Sequence, residues 1–103
     1  MDYELGGKIV LAGFDFDGSE MVVVKKLVGN YAKKIGNFVE YDEIKLELKS
    51  HKKGKAKQFQ IKTLIVFNGK TVNSEATGFN LYVLIDETLK KALHEIEHIV
   101  RKE

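Results

Sequence analysis

The chain's 103 residues include 44% hydrophobic side chains and carry a net charge of +2, with neither cysteine nor proline. That composition fits a single domain over residues 1–103 with one modest core. It excludes disulfide frameworks and thiolate chemistry, and leaves the turns to glycine and asparagine. No apolar run has the length that spans a bilayer, and the acidic start Met1-Asp2-Tyr3-Glu4 lacks the features of a secretory signal. A cytoplasmic protein without membrane attachment is expected.

In chain order, Lys8-Ile9-Val10-Leu11-Ala12-Gly13-Phe14 reads as a short, buried strand. Asp17-Gly18-Ser19-Glu20 has the form of a helix-capping box, with Asp17 as the cap. The helix it opens places Val24, Leu27, Val28, Tyr31, Ile35 and Phe38 on one stripe, with Lys26, Lys33 and Lys34 off it. From Tyr41 to Ser50 a second strand is predicted, its alternation cleanest at Ile44-Lys45-Leu46-Glu47-Leu48-Lys49. Ser50-His51-Lys52-Lys53-Gly54-Lys55-Ala56-Lys57 then turns the chain without a single acid.

A third strand runs from about Phe59 to Phe67, and Asn68-Gly69 marks a type I′ hairpin into a fourth, Thr71 to Thr77. Gly78 and Asn80 open a terminal helix. Its stripe is Leu81, Ile85, Leu89, Ala92, Ile96 and Ile99, with Glu87, Lys91, His94, His98 and Arg101 opposite. The expected fold is α+β, in the order β-α-β-β-β-α. A right-handed crossover makes the first two strands parallel and lays both helices on one face of a four-stranded sheet.

The charge is polarised along this order. Residues 1–24 hold one lysine against five acids, and residues 25–48 five lysines against four acids. Residues 49–79 hold seven lysines against Glu75 alone, a net +6, while the remaining helix is −1. Such polarisation suits docking on phosphates through one side. A lysine-rich loop kept for solubility is the plainer alternative.

Two motifs resemble enzyme signatures. His94-Glu95-Ile96-Glu97-His98 is a literal H-E-x-x-H, the spacing that holds zinc in metal hydrolases. It lies near the end of the sequence on the exposed side of its helix. The third histidine, His51, stands among lysines that repel a cation, and neither a third ligand nor a walled cleft is in prospect. Two exposed histidines are the simpler reading, and no metal is expected. Phe14-Asp15-Phe16-Asp17-Gly18-Ser19 resembles the first motif of haloacid-dehalogenase-type phosphatases over about ten residues. The downstream strand–helix repeats and the acidic pair for magnesium are missing, and a helix cap explains the same residues. A calcium loop is weaker still, since the spaced later ligands are absent. No catalytic residue, cofactor or enzymatic activity is expected.

The segment Ser74-Glu75-Ala76-Thr77-Gly78-Phe79-Asn80-Leu81-Tyr82-Val83-Leu84-Ile85-Asp86, followed by Leu89-Lys90-Lys91-Ala92-Leu93, carries the most specific resemblance. With the strand–helix–three-strand–helix order it resembles the ribosome hibernation-promoting factor family, also called ribosome-associated inhibitor or protein Y, over Lys8 to Lys102. The resemblance implies a factor that enters the small ribosomal subunit between head and body, contacts rRNA in the mRNA/tRNA channel and stops translation under stress. The implied protein is a monomer when free and makes no covalent change. Lys91 carries over most directly as a phosphate contact. Helix geometry adds Lys26, Lys33, Lys34, Arg101 and Lys102, and the hairpin adds Lys52, Lys53 and Lys55.

His94 and His98 flank the helical cations and, once protonated below about pH 6.5, would tighten RNA binding. Two features depart from the family pattern. Phe14-Asp15-Phe16-Asp17 is aromatic and acidic where many members are basic, and the first helix matches only in periodicity. The sequence ends at Glu103, so the short form is expected, without the extension that pairs ribosomes. The alternative function is a module of related fold that binds a structured RNA outside the ribosome.

Overall fold

The computed structural model describes residues 3–5 and 8–102. Met1 and Asp2 of the acidic start, Gly6-Gly7 and the terminal Glu103 lie outside the described residues. The elements are β1 (Tyr3–Leu5), β2 (Ile9–Ala12), α1 (Gly18–Gly36), β3 (Tyr41–Lys53), β4 (Ala56–Phe67), β5 (Lys70–Gly78) and α2 (Leu81–Lys102). All four expected strands and both helices are present in the expected order. A three-residue strand, β1, adds a fifth by pairing antiparallel with β2 at the sheet edge.

Sheet order follows chain order, β1-β2-β3-β4-β5. β2 runs parallel to β3, with Ile9 opposite Ile44 and Leu11 opposite Leu46, as a helical crossover between them requires. The other pairs are antiparallel. Period-two alternation places Ile44, Leu46 and Leu48 of β3 and Ile61, Thr63 and Ile65 of β4 on the buried face. Against that face α2 lays Leu81, Leu84, Ile85, Leu89, Ala92 and Ile96, crossing β4 and β5. α1 contributes Met21, Val24, Val28 and Ile35 and packs against β3 and along α2. Thr63 and Thr88 are the polar exceptions inside: the Thr63 hydroxyl donates to Thr88 Oγ1 at 2.9 Å, and Thr88 donates to the Ile85 carbonyl at 3.2 Å. Buried hydroxyls satisfied in this way are tolerated.

The caps follow the sequence. Asp17 Oδ1 accepts the Glu20 backbone N–H at 2.9 Å, and Asn80 Oδ1 accepts that of Val83 at 3.3 Å. Asn68 and Gly69 both have positive φ, 48° and 72°, as a type I′ turn demands. Phe38 departs from expectation. α1 ends at Gly36, the chain bends at Asn37, and Phe38 is 40% exposed instead of extending the core stripe.

The larger difference is the lysine-rich hairpin. It is not a loop: β3 continues to Lys53 and β4 begins at Ala56, so only Gly54-Lys55 turns the chain. Gly54 has φ +66°, which suits the first central position of a two-residue hairpin turn. β2 reaches only Glu47 of β3, and β5 ends where Gly78 pairs with Phe59, itself opposite Ser50. Beyond that row, residues 51–53 and 56–58 pair only with each other. They form a two-stranded arm of about 10 Å at the usual rise per residue. The molecule is correspondingly elongated, 48 × 25 × 19 Å.

Candidate nucleic-acid interface

Three strands, β2, β3 and β5, run in one direction, and the two helices leave from the C-terminal ends of β2 and β5. Both helices therefore begin at the end of the sheet from which the arm extends. At that root a Cβ on Gly13 would overlap the Leu48 carbonyl oxygen, and Gly13 has φ +80°. Only glycine lets the chain leaving β2 pass so close to β3.

The arm holds the cations in register. Lys52 is directly opposite Lys57, Lys53 opposite Ala56 and His51 opposite Gln58. Lys52, Lys53, Lys55 and Lys57 are all exposed. Alternation puts Lys52 and Lys57 on the helix side with Phe59, and His51 and Lys53 on the other. Lys57 Nζ lies 5.6 Å from the Phe59 ring centroid and 6.0 Å from that of Phe16, while the Phe16 and Phe59 rings stand 6.5 Å apart. A cation over two ring faces is electrostatically favourable and fixes the lysine stem. Sequence reasoning missed Lys57. The available signal was its spacing two residues from Phe59, which on a strand puts both on one face.

On α1, Lys26, Lys33 and Lys34 are exposed as expected, and Lys34 Nζ sits 5.0 Å from the Tyr31 ring centroid. The Tyr31 hydroxyl donates to Asp86 Oδ1 of α2 at 2.6 Å. Burial, with the hydrogen bond and charge of Asp86, pushes the Tyr31 hydroxyl up to about 12.

The outer face of α2 is different. Lys91, His94, His98, Arg101 and Lys102 are exposed there, but acids accompany them. Lys91 Nζ lies 3.4 Å from Glu87 Oε1, and Arg101 Nη2 3.9 Å from Glu97 Oε2. The arm and α1 are thus basic, while the face carrying Lys91 is mixed. The structure does not gather the candidates into one patch. Lys33 and Lys34 lie in the last turn of α1, away from the arm, and Arg101 and Lys102 in the last turn of α2.

One of the two enzyme-like motifs supplies a helix cap. Asp17 caps α1, its carboxyl held below the usual range by the Glu20 N–H and the Ser19 hydroxyl. Among the described residues no group of three His, Cys, Asp or Glu is placed to hold a metal ion. The uncovered sheet face carries a shallow groove of about 400 Å³ whose charges balance, with Lys45 and Lys62 against Glu47 and Glu75. No helix among the described residues is long and apolar enough to cross a membrane.

The architecture is a small α+β module with a mixed sheet, both helices on one face and a cationic arm beyond it. No family model and no curated protein sequence matches the chain. Among solved structures it is similar to the N-terminal domain of protein Y from Thermus thermophilus. That match covers 89% of this chain and 94% of that one, with a TM-score of 0.60 and 14% identity. It is also similar to a ribosomal subunit interface protein from Coxiella burnetii, over 89% of this chain and 93% of that one, with a TM-score of 0.57 and 14% identity. At such identity the likeness is one of fold, and it is the fold that the sequence resemblance implied.

Proposed function

We propose that this chain is a ribosome-associated hibernation factor, a non-enzymatic inhibitor that binds small-subunit rRNA in the mRNA/tRNA channel. The observation that carries the reading is the fold likeness to a protein Y domain over 89% of the chain. It joins the Ser74–Asp86 sequence pattern, which resembles the same family. The cations support it physically: exposed lysines on a rigid arm and on α1 release counterions on meeting phosphate and read shape rather than sequence. In this reading Lys26, Lys33, Lys34, Lys52, Lys53 and Lys55 hold phosphates. Lys91, Arg101, Lys102, His94 and His98 add contacts along α2. The protein works in the cytoplasm, free as a monomer, without metal or cofactor.

The test is sucrose-gradient co-sedimentation with purified ribosomal subunits across a salt series. Binding to the small subunit that weakens steeply with salt is expected, with reduced translation in a reconstituted extract. No association at low salt would overturn the proposal. A second reading, a module for another structured RNA, is favoured by the concentration of cations on the arm and α1, which asks nothing particular of the ribosome. Recovery of a non-ribosomal RNA from cells, with no ribosomal subunits beside it, would select it.

A further inference from the structure

Phe79, just before α2, is 58% exposed, and Val83 in its first turn 57%. Neither joins the core, although the other apolar residues of the first two turns of α2, Leu81, Leu84 and Ile85, are buried. Phe79 directly follows Gly78, whose strand partner is Phe59, and Phe59 is opposite Ser50 at the root of the arm. The chain crosses there to the helix side, since Leu84 folds back against Gly78. On that side the arm carries Lys52 and Lys57. An exposed aromatic residue thus follows directly on the last strand row at the foot of a cationic ribbon.

We propose that this end of the molecule is a binding site for single-stranded RNA, in which an unpaired base stacks on Phe79 and the arm lysines hold the flanking phosphates. The inference rests on the RNA-binding reading and adds to it a site outside the helical phosphate contacts. Charge complementarity selects the occupant. From Lys49 to Lys57 there are five lysines and no acid, against Asp15, Asp17 and Glu20 at the start of α1. Asp17 is already engaged in its cap. Lys52 and Lys57 oppose each other across the ribbon, and directly opposite like charges are unfavourable until an anion lies between them. A base face on an aromatic ring beside phosphate-holding lysines is how single strands are bound without regard to sequence.

The experiment uses the full chain and three fluorescein-labelled probes followed by anisotropy. These are a single-stranded RNA on the order of twelve nucleotides, within the range of such sites, the same backbone with its bases removed, and a duplex of equal length. Phe79→Ala is expected to weaken the single strand about tenfold, the equivalent of about 1.4 kcal/mol of stacking. It should leave the base-free probe unchanged, and Phe79→Tyr should restore binding. Equal binding by wild type and Phe79→Ala would overturn the inference, and so would equal loss on natural and base-free probes. Preference for the duplex overturns it too, as does a concentration-dependent dimer abolished by Phe79→Ala, which would give the face to a second copy of the chain. The ribosome reading fails separately, through wild-type co-sedimentation alone. A chain that pellets with small subunits yet ignores Phe79 in the probe assay loses only this site.

Discussion

Tyr31, from the apolar stripe of α1, and Asp86, from the exposed side of α2, tie the two helices together through one 2.6 Å hydrogen bond. A hydrogen bond to an ionised group is worth about 1.5–3 kcal/mol when buried. Because Asp86 is exposed, the expected cost of Tyr31→Phe falls to about 1 kcal/mol, measurable by urea unfolding at neutral pH. The same pair predicts a pH window. The folded-state value for Tyr31 is raised to about 12 from an ordinary value of 10.0. Its stabilisation is therefore complete below pH 10 and lost as pH rises through about 12, because the unfolded chain gives up the proton first. Wild-type stability should fall through that window by a component that Tyr31→Phe lacks. Parallel alkaline curves for the two proteins would refute this assignment. Gly13 is the other decisive residue. Alanine there meets both a positive φ and the Leu48 carbonyl, so Gly13→Ala should cost roughly 2–3 kcal/mol. A near-neutral unfolding curve would show that β2 can leave β3 by another route.

Among the elements, the arm is the least supported by its neighbours, and its composition works against its own stability. Lys52 and Lys57 are a cross-strand like-charge pair with no acid on the ribbon to relieve it. Replacing Lys52 by threonine removes the repulsion and adds a strand-favouring side chain. Lys52→Thr should raise stability by about 0.2–0.5 kcal/mol while weakening RNA binding. Opposite signs in thermal unfolding and RNA binding are the expected outcome; loss in both would mean the lysine supports the ribbon. The arm also shows where sequence reading stops. Ile44, Leu46 and Leu48 declare β3 because one face is buried. Past Ser50 both faces meet water, lysines occupy both, and the period of two vanishes although the strands continue to Lys53. β1 is hidden for a different reason, since three residues at a sheet edge carry no period. Phe38 misled in the opposite direction, holding helical spacing after Gly36-Asn37 had ended the helix. Capping and turn residues were legible because Asp17, Asn80 and Asn68-Gly69 act locally. The pairing of Lys91 with Glu87 was legible only as spacing, and of the two rings at Lys57 spacing reveals Phe59 alone, since Phe16 is distant in sequence.

At the scale of the whole molecule, the distribution of acids ranks the candidate phosphate contacts of the proposed RNA interface. α1 presents Lys25, Lys26, Lys33 and Lys34 against Glu20 alone, whereas α2 carries four basic residues with Asp86, Glu87, Glu95 and Glu97 among them. A lysine already paired must give up its carboxylate, or share it, before it gains a phosphate, and an exposed pair of this kind is worth at most about 1 kcal/mol. The acid nonetheless remains beside the bound phosphate and repels it, so the net gain from Lys91 is smaller than from a lysine without an acidic neighbour. Family resemblance ranks Lys91 first, and the charge layout ranks the end of α1 above it. The two rankings separate in a salt titration of RNA affinity. Removing one lysine–phosphate pairing lowers the slope of log affinity against log salt by about 1. Lys33→Ala with Lys34→Ala should therefore reduce the slope by about 2, and Lys91→Ala by less than 1. Neutralising Glu87 with Glu87→Gln should tighten binding, because it frees Lys91 and removes the repelling charge together. A larger loss from Lys91→Ala than from the α1 pair would place the phosphate track along α2, with Glu87 serving to position the lysine.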